Sequence, residues 1–314
     1  MDVLKEFSLT SVSGRIPQLA ANPLGPLADL RGIWKGHGFN QIWRPFHGSQ
    51  DRFLELNETN EQLQFEEIPG DIPNSGLLQA DINLHGLRYL QQIQDANVLG
   101  PNGKPAGIHI EPGIWLTVPA TTNPQDPSTV ARLANIPHGT SFVAQGSALP
   151  SINNAPTFAP VSITPFTIAP PHTPIPFPET NLGVPTQFRT PPADIPHVTQ
   201  AMVNNPNVVL AQGIAGKNIV STEILKISTT DLNPPSSGGG AANIAFLQGA
   251  AGGPNAQAAQ VDAIFWIGTI KKADGSTEHQ LQYSQTVLLN FNGLSWPHVS
   301  VATLVKQYNE LARA

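Results

Sequence analysis

The sequence predicts an all-β protein built as an antiparallel sheet or barrel, and three observations lead there. Short apolar runs alternate with turn signals through most of the chain, only 12% of residues are charged, and Pro (31) and Gly (27) are abundant. Strands and turns suit that composition, whereas long solvated helices need more charge. At 314 residues the chain can bury a sizeable core, in one large β domain or two ordinary ones.

Taken in order, residues 1–26 read as a leader punctuated by Pro17, Pro23 and Pro26. Strand-like runs follow at 40–43, 53–56, 63–68, 77–84, 86–94, 108–118 and 141–148. Residues 149–197 hold 13 of the 31 prolines. Proline fixes φ and removes a ladder donor, so this stretch reads as extended irregular chain. Its Phe158, Phe166, Phe177 and Phe188 argue for a wrap packed on a surface, since a free linker rarely carries such large apolar groups. Strand-like runs return at 208–212, 218–229, 243–248, 263–271 and 281–291, with Asp274-Gly275 marking a tight hairpin. Residues 307–313 read as a short C-terminal helix.

A net charge of -6 without a Lys/Arg cluster offers nothing to a phosphate backbone, so nucleic acid is not an expected partner. The absence of cysteine removes disulfides, thiolate ligation, iron–sulfur clusters and Cys-based zinc sites. A bound metal would need His or carboxylate ligands. No run approaches the ~18 apolar residues of a membrane helix, and the N-terminus lacks the apolar core of a secretory signal. A soluble cytoplasmic protein without membrane association is the expectation, and the sequence leaves room for a homo-oligomer.

Two segments carry candidate chemistry. His298 stands where a hairpin through Asn292, Gly293 and Pro297 re-enters its second strand. Neutral imidazole is a common ligand of haem iron, though a lone His beside a turn is more often a solvated or structural residue. In the second segment, Gly32, Gly36 and Gly38 fall on one strand face with Trp34 between them. Glycines there permit a bend or the close approach of a flat ligand, and Trp34 can plug a barrel end.

Four stretches in order resemble the nitrobindin family, small calycin-like haem-binding β-barrels. They are Leu30-Arg-Gly-Ile-Trp-Lys-Gly-His-Gly38, Leu87-Arg-Tyr-Leu-Gln-Gln92, His109-Ile-Glu-Pro-Gly113, and 281–304 with His298. The resemblance covers residues 27–148 and about 241–306. It implies a single barrel domain over 27–306 that holds haem b, with His298 as the iron ligand and His109 lining the distal side. Residues of about 149–240 then form a large insertion, a departure from the family's length. Val299 follows His298 where the family usually has Leu.

The resemblance also implies a cofactor-binding set of Trp34, Gly36, His37, Phe39, Arg44, His109, Leu288, Phe291 and His298. The apolar wall expected for a haem disc comprises Ile33, Phe39, Ile108, Ile114, Leu288, Phe291 and Leu294. His37 reads as a rim or surface residue, and Arg44 and His47 as propionate partners or loop caps. Glu111, on the strand face of His109, is placed either to orient it or to form a surface pair. His85, His138, His172, His197 and His279 lie beside turns and read as solvated. There is no His-Glu zinc pattern and no Gly-x-Ser-x-Gly elbow.

The expected chemistry is the reaction of NO, peroxynitrite or peroxide at a His-ligated iron, with His109 as acid/base in the peroxidase-like version. The competing expectation is an iron-free barrel that carries a fatty acid or another apolar small molecule. A structural surface protein is the third reading, supported by Pro and Gly content alone.

Overall fold

The structure, a computed structural model, describes residues 22–230, 236 and 238–308. Ten long strands form its body: β1 (Gly32–Pro45), β2 (Arg52–Glu67), β3 (Ile82–Leu99), β4 (Pro105–Val118), β5 (Thr129–Ile136), β6 (Thr140–Ile152), β7 (Ile219–Ser228), β8 (Gln257–Lys271), β9 (Thr277–Phe291) and β10 (Leu294–Gln307). Each pairs antiparallel with the next in sequence, and β1 pairs back onto β10 from Ile33↔Gln307 to Ile42↔His298. The result is a closed ten-strand antiparallel barrel. Among the described residues no helix is long and apolar enough to cross a membrane.

Closure divides every strand by parity. On β1 the even positions face inward, from Trp34 to Asn40 and Ile42, while Phe39, Gln41 and Trp43 face outward. The glycines of β1 allow tight closure against β10. A Cβ at Gly36 would stand 2.1 Å from the Thr303 carbonyl oxygen, and one at Gly38 would stand 2.4 Å from that of Val301. The close approach is thus to the backbone of the neighbouring strand, where a flat ligand or a bend was expected.

Two apolar cores result. The first fills one end of the barrel, where a 3₁₀ turn, Gly25–Leu30, inserts Leu27 and Leu30 beneath Trp34, Leu87, Trp115 and Phe265. The Trp34 indole donates to the Leu30 carbonyl at 2.7 Å, so the plug and the first strand lock together. The second core lies outside the barrel. There the outward faces of β1, β2 and β10 meet Ile163, Ile195, Met202 and Leu210 of the chain between β6 and β7.

The Pro-rich segment is therefore a packed wrap. Its centre is an aromatic stack in which Trp296 lies 4.6 Å from Phe291 and 5.2 Å from Phe177, with Trp43 at 5.4 Å. Three buried side chains tie barrel to wrap by donating to wrap carbonyls: Gln41 to Met202 at 2.6 Å, Trp43 to Ile163 at 2.9 Å and Gln282 to Leu210 at 2.8 Å. Each gives a wrap carbonyl oxygen a buried donor from the barrel.

Several expected elements differ. Residues 219–228, expected within the insertion, form β7 and complete the barrel, so the wrap ends near residue 218. The runs at 208–212 and 243–248 lie in or overlap short helices, α1 (Gln200–Asn204) being followed by α2 (Val208–Ile214) and later by α3 (Ala245–Gln248). An apolar run this short does not reveal its period. Leu77 and Leu78 stand exposed in a loop before β3. β10 continues through Gln307 and Tyr308 follows in a turn, while residues 309–313 of the expected terminal helix lie outside the described residues, as does most of the leader.

Candidate functional site

Opposite the plugged end, the barrel holds a cavity of about 590 Å³. That size falls within the roughly 300–1,000 Å³ of small-molecule sites. Ile42, Phe53, Ile93, Val261, Val287 and Leu289 make its walls largely apolar. His298, His109 and Arg44 line it, and His138 joins them.

His298 projects inward from β10, in register with Ile42 on β1 and Val287 on β9. Burial pushes its pKa down to about 3, helped by the like charge that His109 and His138 would carry, so the ring is neutral at physiological pH. Its Nε2 lies 3.4 Å from Ser300 Oγ, whose hydroxyl donates to Asn40 Oδ1. The neighbouring Val299 faces the outer core and is fully buried.

Five strand steps around a ten-strand ring lead from β10 to β5, so the far wall is built by β4, β5 and the turn into β6. There His109 Nε2 donates to Glu111 Oε2 at 3.3 Å. His138, in the turn Pro137-His138-Gly139, donates from Nε2 to the Ile108 carbonyl at 3.3 Å, and the two rings lie 6.0 Å apart.

Beneath them a polar layer crosses the barrel. Arg132 donates to Tyr89 Oη at 2.8 Å, to Gln285 Oε1 at 2.7 Å and to Glu111, which also accepts from Tyr89. Burial alone would raise the Glu111 pKa, but Arg132 and the bonds from His109 and Tyr89 outweigh it and hold the group at about 2. Burial works against the Arg132 charge, yet Glu111 and Tyr89 raise its pKa above the usual guanidinium range. Beside this layer Tyr283 donates to Glu61 at 2.6 Å and accepts from Gln91 at 3.0 Å. Burial raises the Glu61 pKa despite those donors.

The other expected cofactor residues lie elsewhere. Trp34 sits in the plugged core, Gly36 packs on β10, and His37 is exposed. Phe39 and Phe291 belong to the outer core, and Leu288 borders a groove beside the wrap. Of the expected haem wall, Ile108 alone lines the cavity. Arg44 stands at the mouth, paired with Glu55 at 2.7 Å, while His47 is exposed. For Glu111 the buried, orienting alternative holds.

The wrap also contributes to the site. The β2–β3 ladder stops at Thr59↔Asp95, and Phe188–Thr190 fills the opening, with Leu54 N donating to Phe188 O at 2.9 Å and Thr190 N to Leu54 O at 3.1 Å. Thr190, Pro191 and Asp194 thereby become cavity wall.

Among the described residues no group of three or more His, Cys, Asp or Glu is placed to hold a metal ion.

No family model matches the chain, and no curated protein matches it. Among solved structures it is similar to that described as "Crystal Structure of Rv2717c from M. tuberculosis", with 16% sequence identity and a TM-score of 0.41 over 91% of this chain and 98% of that one.

Proposed function

We propose that this protein binds haem b through His298 and reacts with NO, peroxynitrite or peroxide on the face turned toward His109 and His138. The observation that carries this reading is the neutral imidazole of His298 on the wall of a large, mostly apolar cavity. A disc with an apolar body gains from such walls, and neutral nitrogen is the form that binds iron. Bound haem would supply an iron with one position open to small ligands.

The remaining chemistry belongs to the chain. Glu111 fixes His109 with Nε2–H toward the carboxylate, leaving Nδ1 as the nitrogen that can take a proton from a peroxide and return it. Arg132 and Tyr89 keep Glu111 ionised, so its carboxylate stays an acceptor that fixes the His109 ring.

A fatty-acid carrier has less support. A carboxylate needs a cation, whereas Arg132 is neutralised by Glu111 and Arg44 is engaged by Glu55. Haem titration followed by absorbance separates the readings. The expected result is a Soret band that His298→Ala weakens or shifts. A band unchanged in that variant would overturn the ligand assignment, and lipid co-purifying with a protein that takes up no haem would support the carrier.

A further inference from the structure

The two histidines facing His298 are oriented by partners that can only accept. His109 Nε2 meets the Glu111 carboxylate and His138 Nε2 meets the Ile108 carbonyl oxygen, each at 3.3 Å. In its neutral form an imidazole has one donor and one acceptor nitrogen, and against these partners each neutral ring places its N–H at Nε2. Their Nδ1 atoms are left as acceptors, and neither has a hydrogen-bond partner among the described residues.

Both rings line the same cavity with centroids 6.0 Å apart and planes 33° apart. One small molecule can span that separation and hydrogen-bond to both. We infer that His109 and His138 form a twin-acceptor subsite selecting a small ligand with two protons to donate, hydrogen peroxide, over alkyl hydroperoxides, which have one.

This inference rests on the haem reading for its chemistry but not for its geometry. His138 is the discriminating residue, because it is solvent-exposed at the mouth and its replacement leaves the buried Glu111–Arg132 layer intact. With haem-loaded protein, His138→Phe is expected to slow reaction with hydrogen peroxide about tenfold, the worth of one good hydrogen bond, while methyl hydroperoxide changes less than about twofold. Equal slowing of both, or of neither, would overturn the inference.

The second readout needs no iron. In ¹⁵N-detected NMR of the iron-free protein, His109 and His138 should both show unprotonated Nδ1. Titration with hydrogen peroxide should shift both Nδ1 resonances, and methyl hydroperoxide only one. An Nδ1–H tautomer at either residue, or identical shifts from the two peroxides, would refute the twin-acceptor subsite even if haem binds. Normal tautomers and selective shifts without a Soret band would refute the haem reading alone.

Discussion

Arg132 lies opposite Trp115 in the β4–β5 register, yet its guanidinium runs along the barrel to meet Glu111, four residues away on β4. Both side chains are almost wholly buried, at 2% and 0% exposure. Each ion is acceptable inside the barrel only because the other is present. Glu111→Gln should therefore cost about 3–5 kcal/mol in denaturant unfolding by stranding the Arg132 charge, with Arg132→Met in the same chain recovering part of the loss. A cost below about 1 kcal/mol would mean that the pair is not buried as described.

The same site makes stability fall with acid in two windows. Glu111 has a folded pKa of about 2 against an ordinary 4.5, so its contribution is complete above 4.5 and is lost as pH falls toward 2. His298, at about 3 against an ordinary 6.5, stays neutral inside while the unfolded chain takes up a proton, so stability declines as pH falls from 6.5 toward 3. The denaturant midpoint should thus begin to fall near pH 6.5, and His298→Leu should flatten the slope between 6.5 and 4.5. An unchanged slope in that variant would remove His298 as its source.

Trp296 joins the barrel to its wrap. It is fully buried and stacks between Phe291 and Phe177, and its indole donates to the Phe291 carbonyl at 2.9 Å. Trp296→Ala should cost about 3–5 kcal/mol by opening a cavity in the outer core. Limited proteolysis should then cut between residues 153 and 218 before the barrel strands. Cleavage that starts in the barrel would show that the wrap does not depend on this stack.

Much of this architecture was legible in the sequence because it is local. Alternating short runs gave an antiparallel sheet or barrel, Asp274-Gly275 placed the β8–β9 hairpin, and the phenylalanines of the Pro-rich stretch implied packing. Strand parity also turns two of the expected cofactor residues away from the cavity. Phe39 stands five residues from Trp34 and Leu288 one from Leu289, so strand alternation alone turns both away from the inside. His138, Arg132 and Thr190 were not legible as site residues. Their roles depend on which turn, facing strand and wrap segment meet at one end of the barrel, and sequence spacing within a strand carries none of that.

Thr190 tests whether the wrap is part of the site or merely covers the barrel. Its Oγ1 accepts from Leu56 N at 2.8 Å, at a point where β2 has lost β3 as a neighbour, and its own N–H donates to Leu54 O at 3.1 Å. Thr190→Val keeps shape and backbone while removing the hydroxyl, which strands a buried Leu56 N–H at a cost of about 1–3 kcal/mol. The loss should be local, because the hydroxyl is bonded to a single amide of β2. Leu56 amide exchange should accelerate while amides of β9 and β10 do not, and release of a bound cavity ligand should quicken as the wall between β2 and the wrap loosens. Equal acceleration at Leu56 and throughout β9 would mean that Thr190 supports the whole barrel. An unchanged Leu56 amide would mean that Phe188–Thr190 is not held against β2 in solution.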